Sequence, residues 1–215
     1  MSIAKITPPG WHPHKFDSIE NVTAYFLTRL DNKTVIQAVS HTSASAYYNP
    51  VTVSPAEFPV IHWQWQIQHV IKKGDVNTRA GDDYAARIYI SFEYDTKRLS
   101  GLDRVKYNLY KLLHDKPPPL AVLNYIWANR SPIGTIVNNA YSDRVKMIVI
   151  QSGNANAGKW IHEQRNIVED YTRAFGEQPG NINGIAIMTD TDNTGESAIA
   201  WYGDITFSKM TSPPN

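Results

Sequence analysis

A short acidic stretch near the carboxyl end of the chain, MTDTDNTGES (188–197), has the residue types of a cation site. In the twelve-residue calcium loop, carboxylates and hydroxyls bind the ion, and a glycine at position 6 permits a sharp turn. Positions 1, 3, 5 and 6 are filled here by Asp190, Asp192, Thr194 and Gly195. The twelfth position, which requires a bidentate glutamate, is Trp201, and the flanks alternate as strands do, so an EF-hand is excluded.

Two interpretations of this loop remain open. In the first, a structural calcium ion is bound with another geometry, by ligands that include Asp190, Asp192 and Glu196. In the second, the loop is a polar hairpin whose Asp and Asn side chains accept hydrogen bonds from their own backbone. Calcium is thus the one cofactor that the residues indicate.

The second group with binding chemistry lies on two predicted strands. In PVIHWQWQI the side chains of His62 and Gln64 face away from the Ile and Trp residues. In AARIYISF the side chains of Arg87 and Tyr89 face away from the Ile residues. If the two strands share a sheet, these four side chains form one polar and aromatic surface. Such a surface suits a sugar, whose C–H faces stack on aromatic rings and whose hydroxyls bond to polar side chains.

Other residues would border this surface. Tyr125 and Trp127 lie two apart on LNYIWA and either extend the surface or belong to the core. The rim would be lined by Asp190, Asp192 and Asn193. For Arg87 the plainer alternative is an ion pair with Asp82 or Asp83.

The same residue types permit an enzyme that acts on a polysaccharide. A lyase needs a Tyr or His base and a cation or amide that neutralises a uronate, and these roles would fall to His62, Gln64, Arg87 and Tyr89. A glycoside hydrolase needs two facing carboxylates, for which Asp82 and Asp83 are candidates among several. The motifs of serine hydrolases, P-loop proteins, dinucleotide-binding domains and HExxH zinc enzymes are absent. A structural or protein-interaction domain is the third interpretation.

Composition excludes several classes of protein. The 215 residues include no cysteine, which excludes a disulfide framework, a thiol nucleophile and a Cys-ligated zinc site. Lys and Arg number 21 against 20 acidic residues, so no overall field indicates a nucleic-acid or membrane partner. No apolar run is long enough for a transmembrane helix, and the start of this chain lacks a signal-peptide pattern. The length predicts one domain over 9–207 and a tail over 208–215, with no indication of oligomeric state.

Most of the chain alternates apolar and polar residues in short runs separated by Gly, Pro, Asn and Asp, which predicts an all-β sandwich. Eight strands are predicted, at 22–29, 33–40, 59–67, 85–94, 123–128, 145–151, 184–189 and 197–207. Residues 30–32 are expected to form a hairpin turn. Helical spacing of apolar residues predicts an inserted amphipathic helix over about 100–115 and a short helix over about 166–175, ended by Gly176.

Four motifs in order, KGD...GDDYAARIYISF, LNYIWAN, KWIHEQRNIVEDYTRAFG and IAIMTDTDNTGESAIAWYGDITF, resemble the DUF3047 proteins, a bacterial family of unknown function. The resemblance spans roughly residues 22–207. It implies an exported or envelope-associated protein, periplasmic or extracellular, and it assigns no activity.

A more distant resemblance is to jelly-roll carbohydrate-binding modules of galactose-binding-like fold, which close on a strand similar to YGDITF. This resemblance implies a jelly-roll-like sandwich and a structural-calcium role for Asp204. Together with the surface residues above, it leads us to expect a protein that binds a glycan or an envelope polysaccharide.

Overall fold

The computed structural model describes residues 8–101 and 119–210, in which the chain forms twelve β-strands and one α-helix. The first six strands are β1 (His12–His14), β2 (Ala24–Leu30), β3 (Lys33–His41), β4 (Ala46–Asn49), β5 (Val60–Ile67) and β6 (Arg87–Phe92). The last six are β7 (Val122–Ala128), β8 (Ile136–Asn139), β9 (Ser142–Ser152), β10 (Ile161–Asn166), β11 (Ile182–Met188) and β12 (Ser197–Ser208). The helix α1 spans Ile167–Phe175, and two single 3-10 turns span Arg79–Gly81 and Thr96–Arg98.

The strands form two sheets that pack face to face. The seven-stranded sheet has the order β1-β4-β11-β6-β7-β9-β8, and the five-stranded sheet has the order β10-β5-β12-β3-β2. The chain passes from one sheet to the other after β1, β3, β4, β5, β9, β10 and β11. As a result, β11 pairs between β4 and β6, and β12 pairs between β3 and β5. This interleaving of early and late strands is the jelly-roll arrangement, and the predicted all-β, jelly-roll-like sandwich is confirmed.

The inward-facing residues of both sheets form one apolar core. Trp63 of β5 stacks on Tyr125 of β7 with ring centres 5.1 Å apart, and Trp65 lies 5.8 Å from Trp127. All four side chains are at most 2% exposed. Burying such a side chain contributes roughly 1.5–3 kcal/mol, and an aromatic pair adds about 0.5–1.5 kcal/mol, so these contacts hold the two sheets together.

Part of the outer face of the seven-stranded sheet is covered as well. Val76 and Tyr84, from the segment that precedes β6, form a second apolar cluster with Ile126 of β7 and with Met147 and Val149 of β9. Because β7 is covered on both faces, all seven of its residues are buried. On the five-stranded sheet, by contrast, the outward-facing polar residues of β5 are partly exposed.

All eight predicted strands are present, with ends that differ by at most three residues. Four further strands, β1, β4, β8 and β10, were not predicted, because three have only three or four residues and β10, IHEQRN, is mostly polar. The predicted turn joins β2 to β3, and positive φ values of 50° and 63° at Asp31 and Asn32 give the two-residue geometry that suits a twisted hairpin.

The short predicted helix is confirmed as α1. The side chain of Asn166 accepts hydrogen bonds from the amides of Val168 and Glu169, and Gly176 ends the helix with a φ of 75°. The amphipathic helix predicted over 100–115 falls almost entirely on 102–118, which lie outside the described residues. Strand β12 extends to Ser208, which is the first residue of the predicted tail. Of the described helices, none is long and apolar enough to cross a membrane.

Candidate functional site

The predicted polar and aromatic surface is divided between the two sheets. Strand β5 belongs to the five-stranded sheet and β6 to the seven-stranded sheet. His62 and Gln64 therefore face outward on one side of the sandwich, with His62 Nε2 lying 2.8 Å from Ser208 Oγ, while Arg87 and Tyr89 lie on the other side. The prediction that these four side chains form one surface is wrong. Period-two alternation assigns the face of each strand, but it does not say which sheet the strand joins.

Arg87 is buried in a polar cluster at one end of the seven-stranded sheet. Its side chain is 2% exposed; Nε donates to Asp190 Oδ1 at 2.8 Å, and the guanidinium makes a second hydrogen bond to Oδ2. Nη1 donates to the Tyr89 hydroxyl at 3.2 Å and lies 3.4 Å from Asp82 Oδ1, and the Tyr84 ring centre is 4.3 Å from the guanidinium carbon. The guanidinium thus has its hydrogen-bond partners inside the protein, which agrees with the alternative interpretation that Arg87 forms an ion pair with Asp82.

Three carboxylates meet beside this ion pair. One oxygen from each of Asp83, Asp190 and Asp192 lies within 4.8 Å of the other two. We name these three residues the aspartate cluster. Burial raises the pKa of Asp83 and of Asp190, and Arg87 opposes the effect on Asp190. Calcium takes six to eight oxygens, but Asp190 is occupied by Arg87, and Asp83 accepts the Thr194 amide at 2.6 Å. The residues present therefore fit calcium only in part, and the guanidinium supplies a cation at this place.

Two of the predicted calcium ligands do not join the cluster. Glu196 accepts hydrogen bonds from the backbone amides of Lys72 and Lys73 at 3.1 and 2.8 Å. Its carboxylate therefore binds the loop after β5 and is not part of the aspartate cluster. Asp204 is exposed on β12, in the opposite sheet. Asp83, which was not among the four predicted metal ligands, stands with Asp190 and Asp192 instead, because the loop before β6 folds against the loop before β12.

Of the remaining predicted site residues, some lie in the core and others lie at the surface. Tyr125 and Trp127 are 0% and 1% exposed, so they belong to the core and form no stacking platform. Asp192 and Asn193 are partly exposed at the rim of the aspartate cluster. The Tyr141 hydroxyl donates to Asn193 Oδ1 at 2.5 Å, which ties this loop to the turn after β8.

A row of amide and aromatic side chains crosses the outer face of the five-stranded sheet. The pairing register places four residues side by side on four adjacent strands, and they are Phe26 of β2, Gln37 of β3, Trp201 of β12 and Gln66 of β5. Their neighbours along each strand pack in the core, so these four side chains face outward, and each is partly exposed. We name these four residues the amide–aromatic row.

Further side chains lie on the same face beside the row. Gln64 crosses over Gly203, where an added Cβ would meet Gln64 Cγ at 2.4 Å, and its Oε1 accepts a hydrogen bond from Lys33 Nζ at 2.9 Å. Trp160 Nε1 donates to Asp31 Oδ2 at 3.2 Å, and its ring centre is 6.0 Å from Lys33 Nζ. Glycine at 203 is therefore required for the position of Gln64, and Trp160 is fixed against this face.

Sequence reasoning missed most of the amide–aromatic row, although part of the signal was present. In SAIAWYGDITF the residues Ala198, Ala200 and Tyr202 alternate with Trp201, which therefore faces away from the core. What the sequence does not contain is the strand order, which brings Trp201 between Gln37 and Gln66.

A groove of about 590 Å³ lies on the opposite side of the sandwich. Its described lining includes Tyr48 of β4, Ser91 of β6, Asn183 of β11 and the loop residues Glu93 and Tyr94. It is a second concave surface with aromatic and polar side chains, and it is the competing location for a ligand.

Glu163 is a half-buried carboxylate on the inner side of β10. Its Oε1 accepts hydrogen bonds from Gln151 Nε2 at 2.8 Å and Trp65 Nε1 at 3.4 Å. Burial raises the pKa of Glu163, and these two hydrogen bonds and Arg165 only partly oppose the rise.

Glu163→Gln is expected to stabilise the protein at neutral pH by less than about 1 kcal/mol and to flatten its dependence on pH. A carboxyl whose pKa is higher in the folded than in the unfolded chain does not lower the free energy of unfolding at a pH below its unfolded-state pKa. Its destabilising effect grows as pH rises and is complete above the folded-state pKa. Urea denaturation of both proteins from acidic to neutral pH should give curves that converge at the acidic end. A gap that stays constant with pH would contradict this account.

Comparison with known proteins places the chain in a family and leaves its activity open. The family model of DUF3047, described as proteins of unknown function, matches residues 9–206. No curated protein matches the sequence. Among solved structures, Trichoderma harzianum endoglucanase 3 from family GH12 is 7% identical over 95% of this chain and 100% of that chain, with a TM-score of 0.45. The endo-1,4-beta-glucanase CelB2 is 13% identical over 89% of each chain, with a TM-score of 0.44.

At these identities and TM-scores, neither structure bears on what this protein does. The family match is of a different kind, because it extends from before β1 into β12 and so includes nearly all of the described sandwich. The chain belongs to the DUF3047 family of proteins of unknown function.

Proposed function

We propose that this protein binds a glycan on the outer face of its five-stranded sheet. The observation that carries the proposal is the amide–aromatic row, in which Phe26, Gln37, Trp201 and Gln66 stand side by side and partly exposed. Aromatic rings stack against the C–H faces of sugars, and an amide both donates to and accepts from hydroxyls. An alternation of ring and amide therefore gives neighbouring sugar units both kinds of contact.

The aromatic members distinguish this row from an ordinary solvated sheet. Outer faces of sandwiches are commonly polar, and polarity alone needs no ligand to explain it. Phe26 and Trp201, however, place large apolar rings at partly exposed positions, Trp201 between two amides and Phe26 beside one. Tryptophan is enriched at binding interfaces, where its ring offers a large apolar contact area.

The aspartate cluster supports an enzyme less well. The separation of its carboxylate oxygens, up to 4.8 Å, is close to the roughly 5 Å of retaining glycosidases. However, Asp190 is paired with Arg87, and both oxygens of Asp83 accept backbone amides from the loop at 193–194. Asp83 and Asp190 are 1% and 2% exposed, so a substrate does not reach them. This geometry favours a structural role.

The residues of the predicted lyase site are also too far apart to act together. His62 and Gln64 lie on the outer face of the five-stranded sheet, and Arg87 and Tyr89 lie on the far side of the seven-stranded sheet. Each face still holds a base and a neutralising group, but Arg87 is 2% exposed and bonded to Asp190, and the Gln64 amide accepts a hydrogen bond from Lys33. These contacts favour binding over elimination chemistry.

Trp201→Ala is expected to weaken binding to a neutral polysaccharide by at least about tenfold, because it removes the larger stacking ring of the row. Phe26→Ala should give a smaller loss in the same direction. Affinity electrophoresis through gels that contain one polysaccharide each measures both effects as a reduced retardation. Thermal melts of the variants establish that the loss does not arise from unfolding.

Two variants serve as controls. Tyr141 is a 57% exposed aromatic residue remote from the row, so Tyr141→Ala should migrate as the wild type does. Tyr48→Ala alters the competing groove on the seven-stranded side. Loss of binding in Tyr48→Ala but not in Trp201→Ala would place the ligand in that groove, and the absence of retardation of the wild type by any polymer would refute glycan binding.

A further inference from the structure

We infer that the ligand is an extended, uncharged, β-linked polysaccharide that lies across the strands of the five-stranded sheet. This inference rests on the proposed function and names the class of glycan that the amide–aromatic row fits. It follows from the spacing of the two rings, from the straightness of the row and from the charge of the face.

The two rings stand two strands apart. Strand β3 separates β2, which carries Phe26, from β12, which carries Trp201, and hydrogen-bonded strands lie about 4.8 Å apart. The two positions are therefore roughly 10 Å from each other, with Gln37 between them. In an extended β-linked chain each sugar is turned over relative to the last, so alternate units present the same face, and the repeat of two units is of this order.

A chain laid along the row would place successive units on successive side chains. One unit stacks on Phe26, the next meets the amide of Gln37, the third stacks on Trp201, and the fourth meets the amide of Gln66. Because the four residues follow the sheet in register, the path is extended. A helical α-linked glycan curves away from such a path and reaches only one ring.

The charge of the face selects among extended glycans. The row itself contains no ionisable side chain, and the face beside it carries the amide of Gln64 together with His62 and Lys33. Lys33 donates to that amide and lies beside Trp160, which itself donates to Asp31, so a cation and a carboxylate occur together at this end. Within the row itself a polyuronate would find no cation, and a polycation would find no carboxylate.

The test is a ladder of oligosaccharides measured by isothermal titration calorimetry with the full chain. With β-1,4-linked gluco-oligosaccharides, affinity should rise roughly fivefold to tenfold when the third unit is added, since that unit reaches the second ring. It should rise again with the fourth unit, at Gln66, and then level off. α-1,4-linked malto-oligosaccharides and oligogalacturonates of equal length should bind at the level of a single unit.

Variants assign each step of the ladder to its side chain. Phe26→Ala should abolish the rise at the third unit, and Gln66→Ala should abolish only the rise at the fourth. If malto-oligosaccharides bind as tightly as the β-linked series, or if affinity does not depend on length, the inference is wrong while glycan binding stands. If no oligosaccharide or polysaccharide binds at all, the proposed function itself fails.

Discussion

Arg87→Met is expected to lower the free energy of unfolding by about 3–5 kcal/mol, the largest effect of any single change considered for this chain. Methionine fills similar volume, so packing is largely kept and the loss is electrostatic. The variant leaves Asp190, which is 2% exposed, without its guanidinium, and it deprives Asp82 and Tyr89 of a hydrogen-bond donor. Urea denaturation followed by tryptophan fluorescence gives the change directly.

The pH dependence of this loss separates a charge effect from a packing effect. Burial already raises the pKa of Asp190, and removing Arg87, which opposes that rise, should raise it further. The penalty in the variant is then present at neutral pH and declines as acidification protonates the carboxyl. A difference between the two proteins that does not change with pH would indicate lost packing instead.

The matched control is the exposed ion pair of Arg98 with Glu177. These side chains are 57% and 32% exposed and 3.3 Å apart, so Arg98→Met should cost less than about 1 kcal/mol. Comparable losses in the two arginine variants would contradict the assignment of Arg87 as a buried structural group. They would also reopen the earlier expectation that Arg87 faces a ligand.

The contrast between Arg87 and Trp201 shows what alternation in a sequence can and cannot predict. Both residues face away from the sandwich core, as period two requires. Arg87 is nevertheless buried, because the segment before β6 covers that end of the seven-stranded sheet, while Trp201 is partly exposed on an uncovered strand. The covering segment is irregular and has no periodicity, so the difference could not be predicted from the strands themselves.

The order of the strands in the two sheets is the second feature that could not be predicted from the sequence. The eight longer strands and α1 were predictable, because hydrophobic periodicity and end signals such as Asn166 and Gly176 are local. Placing β5 and β6 in opposite sheets depends on crossovers, and many crossovers are compatible with one pattern of alternation. For this reason the four side chains that were predicted to form one surface are divided between the two sheets.

Asp170→Asn is expected to lower the free energy of unfolding by about 2–3 kcal/mol, because it breaks a second buried charged contact. Asp170 is 0% exposed at the start of α1; it accepts the Tyr125 hydroxyl at 2.9 Å and Arg165 Nε at 2.8 Å. Asparagine keeps the volume and one acceptor but loses the charge that faces the guanidinium of Arg165. The loss should be smaller than for Arg87→Met, since Arg165 is 33% exposed and water can solvate it.

A neighbouring carboxylate on the same helix provides the control for Asp170. Glu169 is exposed and contacts Asn166 Nδ2 at 2.7 Å, so Glu169→Gln should change stability by less than about 0.5 kcal/mol. Hydrogen exchange should show α1 losing protection before β12 in Asp170→Asn, because the carboxylate joins the helix to Tyr125 of β7. Since α1 is remote from the amide–aromatic row, the folded variant should bind glycans as the wild type does. Weakened binding at a temperature where the variant is fully folded would mean that the helix and the five-stranded sheet are coupled.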